Sequence, residues 1–332
     1  MPIFRDTFKK ALSIIWNHKF LWIFGFFVAF LGAGGELEIL FRDYSRFGDI
    51  SSNLNNIQDL YKAGFVSFIF NNFKSFLVQY PFQAIVILFI FLVVAVALIW
   101  LIVVSQVGLI YNIKEIAQQR QGGIKQGYRA GLKFFGNALA FDIIAQLFAY
   151  ALLLIISLPL VAFFLNRNSE LIRTIFVVIA FLIALPLNII ISFIIKYAVF
   201  YLVTEERKFW DSFKQGWKLF LKNWLLSIEM AVLVLVIGLA AGLALGLAII
   251  FVAAPFALLG FIMILFNFKA AVWVVVVIGL VVISILIIVA GSIFSSFQYT
   301  AWVLLFSRLL EGNAKSKILR FLTAASHYFI KK

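Results

Sequence analysis

The sequence contains no cysteine. Disulfides, thiol catalysis and cysteine-ligated metal are therefore excluded, although this absence does not fix the redox compartment. Histidine is almost missing too. His18 and His327 stand far apart, so no single element carries a histidine metal site or a histidine-based triad. Phosphate-loop and dinucleotide fingerprints are lacking, as are a voltage-sensor run of cations and a channel-filter signature. Charged residues of both signs make up only 13% of the 332 residues, against about 25% in soluble domains. What fills the chain instead is apolar: 64% is hydrophobic, with 40 Phe. A domain of this size in water needs a polar exterior, so lipid must be the solvent for most of it.

A spanning helix takes about 20 mostly apolar residues. Six segments qualify: Phe20–Ala33, Pro81–Tyr111, Asn137–Leu165, Ile175–Ile195, Trp224–Ala253 and Ala271–Phe306. Several are long enough to require tilt or an interfacial extension. The first follows a helix-patterned arm and has a poor small-x-small site near Leu31-Gly32-Ala33, so it reads as a retained anchor and not a cleaved signal. The expected architecture is an all-α integral membrane bundle of about six helices, forming one membrane domain over 1–332. Its appendages are an amphipathic arm (1–19), an outside loop (34–80) and a basic tail (307–332). In the loop, Phe65, Phe68, Ile69, Phe73, Phe76 and Leu77 at helical spacing predict an interfacial helix leading into Pro81. The 254–268 stretch reads as an apolar loop dipping into the outer leaflet.

The net charge of +14 is distributed by side. Four segments (the N-terminal arm, 112–134, 196–222 and the tail) hold 21 Lys and Arg, and the alternating segments hold seven. The positive-inside rule then puts both termini in the cytoplasm of a cell inner membrane, and it explains the positive charge without nucleic acid.

The chain also reads as three related helix pairs. Asp6-Thr7-Phe8-Lys9-Lys10-Ala11-Leu12 matches Asp211-Ser212-Phe213-Lys214-Gln215-Gly216-Trp217, and Tyr128-Arg129-Ala130-Gly131-Leu132 aligns more weakly. Asn17, Asn137 and Asn223 then mark where each copy enters the bilayer. On the returning helices, Gln106-Val107-Gly108, Lys196-Tyr197-Ala198 and Gln298-Tyr299-Thr300 each place a polar residue two before a small one. Such repeats arise by duplication of a helix hairpin. Helical stripes are expected at Phe4, Phe8, Ala11, Leu12 and Ile15, at Trp210, Phe213, Trp217, Phe220, Leu221 and Trp224, and at Ile318, Phe321, Leu322 and Ala325. Basic helices of this kind either pack as connectors or lie on an anionic inner leaflet, where each cation adds about 1 kcal/mol.

The phrase Phe209-Trp210-Asp211-Ser212-Phe213-Lys214-Gln215-Gly216-Trp217, with Lys222-Asn223-Trp224 and Phe297-Gln298-Tyr299-Thr300-Ala301-Trp302, resembles a group of polytopic families. These are related to the membrane domain that accompanies some glycerophosphodiester phosphodiesterases, together with uncharacterised prokaryotic membrane families. The resemblance implies a six-helix membrane fold. It supplies no enzyme, because the phosphodiesterase barrel and its acidic metal cluster are absent here.

Only two charged residues remain inside the expected spans, Asp142 and Glu229, at nearly coincident repeat positions. A carboxylate at membrane depth costs about 2.5–3.5 kcal/mol on insertion scales and should find a partner. Lys196 is the first candidate by depth, with Gln106, Gln146 and Gln298 as other donors. The group is read either as a proton- or cation-handling cluster or as a structural ion pair near the interface. Gly238, Gly242 and Gly246 form a smooth stripe for helix packing, within the bundle or in a homodimer. Pro159 and Pro186 are expected to kink their helices. No catalytic constellation and no cofactor motif is found. The expected function is therefore a non-enzymatic membrane protein that organises lipids or partners. The alternative is a small transporter or flippase-like protein for an amphiphilic or ionic substrate.

Overall fold

A computed structural model describes residues 3–30, 79–165, 170–266 and 268–312. Among these residues the elements are all α-helices: α1 (Ile3–Asn17), α2 (Leu21–Ala29), α3 (Pro81–Ala117), α4 (Ile124–Leu165), α5 (Glu170–Thr204), α6 (Phe209–Leu265) and α7 (Lys269–Leu310). Five of them are long and apolar enough to cross a membrane, and a sixth span results if α1 and α2, bent by 110°, count as one. The expected helix of the 34–80 loop, the end of the first span and the tail stripe at 318–325 lie outside the described residues.

Local sequence explains the helix limits. Pro81 starts α3, where its missing N–H costs nothing. At the close of α3 the backbone turns through Gln119 at φ 60°. Asn112 ties down the connection to α4: its Nδ2 donates to Gly108 O at 3.0 Å and its Oδ1 accepts from Gly123 N at 2.9 Å. Of the three asparagines read as marking entry to the bilayer, two stand at breaks in the helix. The chain bends after Asn17, and α6 leaves helical geometry at Asn223 (φ −129°, ψ 28°). There Asn223 Nδ2 donates to Leu219 O, and Ser227 Oγ donates to Asn223 O. By contrast α4 runs unbroken through Asn137, so its basic segment and its span are one rod.

One expectation is corrected outright. Residues 254–265 are not a loop but the end of α6, which carries Pro255 inside it. Hydrophobicity there reflects continued helix. From Trp224 onward α6 is about 60 Å long at 1.5 Å per residue, well beyond a hydrocarbon core of about 30 Å.

The helices close into a ring. α3 packs on α4, α5 on α6, and α7 on α1 and α2, while α3, α5 and α7 also touch one another inside. Buried residues concentrate at one end, called the base. It holds α1, the starts of α4 and α6, and the C-terminal thirds of α3, α5 and α7. Its centre includes Ile110, Ile113, Phe141, Tyr197, Phe200, Trp302 and Phe306. Toward the far end, side chains such as Phe91, Phe251 and Trp273 are exposed. In a bilayer, that apolar exposure costs nothing.

Small residues set the contacts at the base. A Cβ on Gly216 would stand 2.8 Å from Ala198 N and 2.9 Å from Ile194 O, and one on Gly131 would stand 2.5 Å from Val104 O. A Cβ on Gly25 would collide with Ser296 Oγ and Ser292 O. Ser296 Oγ also donates to Leu21 O at 3.0 Å, joining the last helix to the second. At the surface, Lys133 Nζ lies 2.6 Å from Glu206 Oε2 and ties α4 to the α5–α6 connection. This ammonium holds the Glu206 carboxyl below its usual range. The resulting stabilisation is present above the unfolded carboxylate pKa and fades as pH falls through the lowered folded one. Both groups are exposed, so Lys133→Met is expected to change stability by only about 0–1 kcal/mol, as read from melting temperatures at pH 7 and pH 3.

Candidate functional site

Three groups of residues were singled out by sequence, and the structure places each differently. Asp142 sits on α4, half-buried, and the Gln106 side chain of α3 hydrogen-bonds its carboxyl. The ammonium of Lys196, the first candidate by depth, lies 4.3 Å from the centre of the Trp302 ring, a cation–π geometry. Glu229 lies on α6, half-buried, two residues past Ser227. Ser227 Oγ and Tyr197 OH are 2.7 Å apart, which fastens α5 to α6 beside both Lys196 and Glu229.

Gln106 is the residue that connects this region. Besides Asp142 it reaches Tyr299 OH on α7, with Nε2 at 3.5 Å. Removing it leaves a carboxyl at membrane depth without that bond. Gln106→Leu is therefore expected to lower stability by about 1–3 kcal/mol, and adding Asp142→Leu is expected to restore most of it. Thermal unfolding of the purified protein checks both; equal losses in the single and double variants would contradict the pairing. Among the described residues no cluster of three or more His, Asp or Glu is placed to hold a metal.

Two glycines of the stripe make no helix contact within this chain. A Cβ on Gly242 or Gly246 would meet nothing within 4 Å. Gly25, Gly108, Gly127, Gly131 and Gly216 carry helix contacts at the base, and Gly279 of α7 packs against Phe256 of α6 toward the far end. Gly108, Gly131 and Gly216 stand in the repeat motifs, though not as packing positions. The available signal was Gly127 and Gly131, spaced by four inside a basic segment.

The aromatic stripe of α6 also faces unexpectedly. Its buried side is Ser212, Gly216, Leu219 and Phe220. Trp210, Trp217 and Trp224 point away from the bundle, 69%, 44% and 52% exposed. Trp16 of α1 does the same at 59%, and Leu12 of the α1 stripe is exposed as well. Lys9, Lys10, Lys214, Lys218 and Lys222 are exposed on the same two segments. At the far end, α6 and α7 enclose an apolar groove of about 440 Å³, with Phe256, Gly260, Phe261, Val276 and Gly279 on its walls.

In comparison with known proteins, the chain matches a family model over residues 15–306. The chain belongs to the DUF7544 family. That family is one of unknown function. No curated protein and no solved structure matches. The DUF7544 match runs from the close of α1 into the last turns of α7, so it takes in α2 to α6, Trp16 and the tryptophan segment of α6.

Proposed function

We propose that this DUF7544 protein is a non-enzymatic, lipid-organising protein of a cell membrane, with both termini in the cytoplasm. The observation that carries this reading is the outward face of the basic segments at the base. Trp16, Trp210, Trp217 and Trp224 are turned away from the core, beside five exposed lysines. Indole rings prefer the headgroup level, and lysines beside them attract anionic lipid. A connector that merely packed on the bundle would bury its whole aromatic stripe, whereas here Phe220 turns inward and the three tryptophans of α6 turn outward. The far-end groove, apolar on its walls, suits acyl chains. The base is then the cytoplasmic end, in keeping with the excess of Lys and Arg there. The three helix pairs are read as copies of one hairpin unit, since α3 meets α4, α5 meets α6, and α7 meets the first pair in turn.

The test is lipid retention. Purified protein is expected to carry anionic lipids enriched over their share of the source membrane, measured by mass spectrometry. Lys214→Gln, Lys218→Gln and Lys222→Gln together are expected to abolish the enrichment, since each lysine contributes about 1 kcal/mol. No enrichment, or enrichment unchanged in the triple variant, would overturn the proposal. A second reading, as a small transporter, is favoured by one observation: the Asp142 carboxyl inside the spans, engaged by Gln106. Solute or proton flux in proteoliposomes that disappears in Asp142→Asn would support it.

A further inference from the structure

Gln146, read from sequence as a donor to the acids, stands on the exposed side of α4. It follows Asp142 by four residues, and Tyr150, 53% exposed, follows it by another four. Four residues carry a helix about 40° past a full turn, so these three side chains form a slanted stripe. The stripe starts at the half-buried Asp142 carboxyl, which Gln106 of the core engages, and winds out onto a face where Leu147 and Leu154 are exposed. At 1.5 Å per residue it climbs about 12 Å from Asp142 toward the far end.

That face meets hydrocarbon. Leu147, Leu153, Leu154 and Ile155 around the stripe are exposed and apolar, as a lipid-facing surface requires. An amide set among them bears a desolvation cost that a leucine would not. The exposed Ser284 of α7 escapes such a cost by donating to Leu280 O. A glutamine amide, with two donors and two acceptor sites, is not met in full by its own helix. Another protein helix is a poor cover for it. Contacts between membrane helices favour small residues, whereas the flank here is leucine and isoleucine.

We propose that the stripe is a track for phospholipid headgroups, along which lipids pass between the leaflets while their acyl chains stay in hydrocarbon. Its chemistry fits that cargo. Gln146 and Tyr150 donate to phosphate oxygens, and the Gln146 oxygen and Asp142 carboxyl accept from a headgroup hydroxyl or amine. A free ion would leave one side against hydrocarbon, but a lipid fills that side with its own tails. Loading is from the base, where the exposed Lys125 and Arg129 on the first turns of α4 draw phosphate. A polar climb of about 12 Å in a core of about 30 Å shortens the dry part of the path and lowers its barrier. The track is separate from the tryptophan faces of α1 and α6, so its failure would leave the lipid-retention reading untouched.

The test is headgroup transit in sealed vesicles. Purified full-length protein is reconstituted in phosphatidylcholine and phosphatidylglycerol with a trace of nitrobenzoxadiazole-labelled phospholipid, and dithionite, which does not cross the bilayer, bleaches the accessible label. Without protein, only the outer-leaflet label is lost. With it, bleaching is expected to run on through the inner-leaflet label. Gln146→Leu combined with Tyr150→Phe is expected to slow that second phase at least about tenfold, the effect on a barrier of losing one or two hydrogen bonds. Both side chains are exposed, so this variant is expected to melt like the parent; if it does not, Tyr150→Phe alone takes its place, with slowing in the same direction. Bleaching that stops at the outer leaflet in the unaltered protein's vesicles overturns the proposal, as does an unchanged rate in the folded variant. The chain has no cysteine, so Gln146→Cys can also be crosslinked in native membranes without background. Efficient crosslinking to a second copy would make the stripe a helix contact and overturn the proposal too.

Discussion

Valine at Gly216 is expected to cost the folded protein about 3 kcal/mol or more, while valine at Gly242 costs almost nothing. Both are helical glycines of α6, so the propensity term is the same for each. The difference lies in what surrounds them. At Gly216 even a Cβ would press on Ala198 N at 2.8 Å, Ile194 O at 2.9 Å and Ala198 Cα at 3.2 Å. These are backbone atoms of a helix and cannot rotate aside as a flexible side chain would. Relief requires α5 and α6 to separate, which breaks the 2.7 Å contact between Tyr197 OH and Ser227 Oγ. At Gly242 the added methyls enter open space. Melting temperatures of the two purified variants decide the matter. Similar losses in both would mean that helix propensity, and not the α5–α6 approach, governs this segment.

Truncating Trp302 to alanine is expected to be the other severe change, at about 3–5 kcal/mol. Trp302 is 1% exposed and sits where the inner helices meet. Its ring lies 5.6 Å from Phe193 and 6.5 Å from Tyr197, and the Lys196 ammonium rests on its face. In lipid the transfer of apolar surface from water contributes little, so most of the loss is packing: a cavity whose walls are helices that cannot collapse. Trp302→Phe keeps the ring against Phe193 and Tyr197, so it is expected to lose far less. Comparable losses for the two would show that the fused ring system of indole, and not simply an aromatic plug, is required.

How far these features could be read in advance depends on what each one rests upon. The spans rest on hydropathy, which is a property of single segments, and five of six emerged as continuous helices. A boundary at Asn223 was legible because a lone asparagine stood between a basic stretch and an apolar one, but the loss of helical geometry there was not. The same signal at Asn137 produced no break, since neighbouring contacts decide whether a helix bends. Facing directions were the least legible. The spacing of Trp210, Phe213 and Trp217 announces an apolar stripe, but the stripe suits lipid as well as protein. The decision came from Gly216, whose missing side chain lets the opposite side approach α5. Gly238, Gly242 and Gly246 show the converse: spacing identifies a smooth surface without saying what covers it. Gln298 drew notice only as a possible donor to the acids. Its complete burial depends on three helices meeting, which no local pattern encodes.

The join between the final helix and the second one has a consequence for biosynthesis. Ser296 donates to Leu21 O across 275 positions of chain. At about 5–20 residues per second, the ribosome needs roughly 15–55 s to deliver that partner. Throughout this interval the groove around Gly25 has nothing seated in it. Holding that early hairpin in the bilayer until the last span arrives falls to the insertion machinery, and nascent chains stopped before α7 present an unclosed edge to proteolytic surveillance.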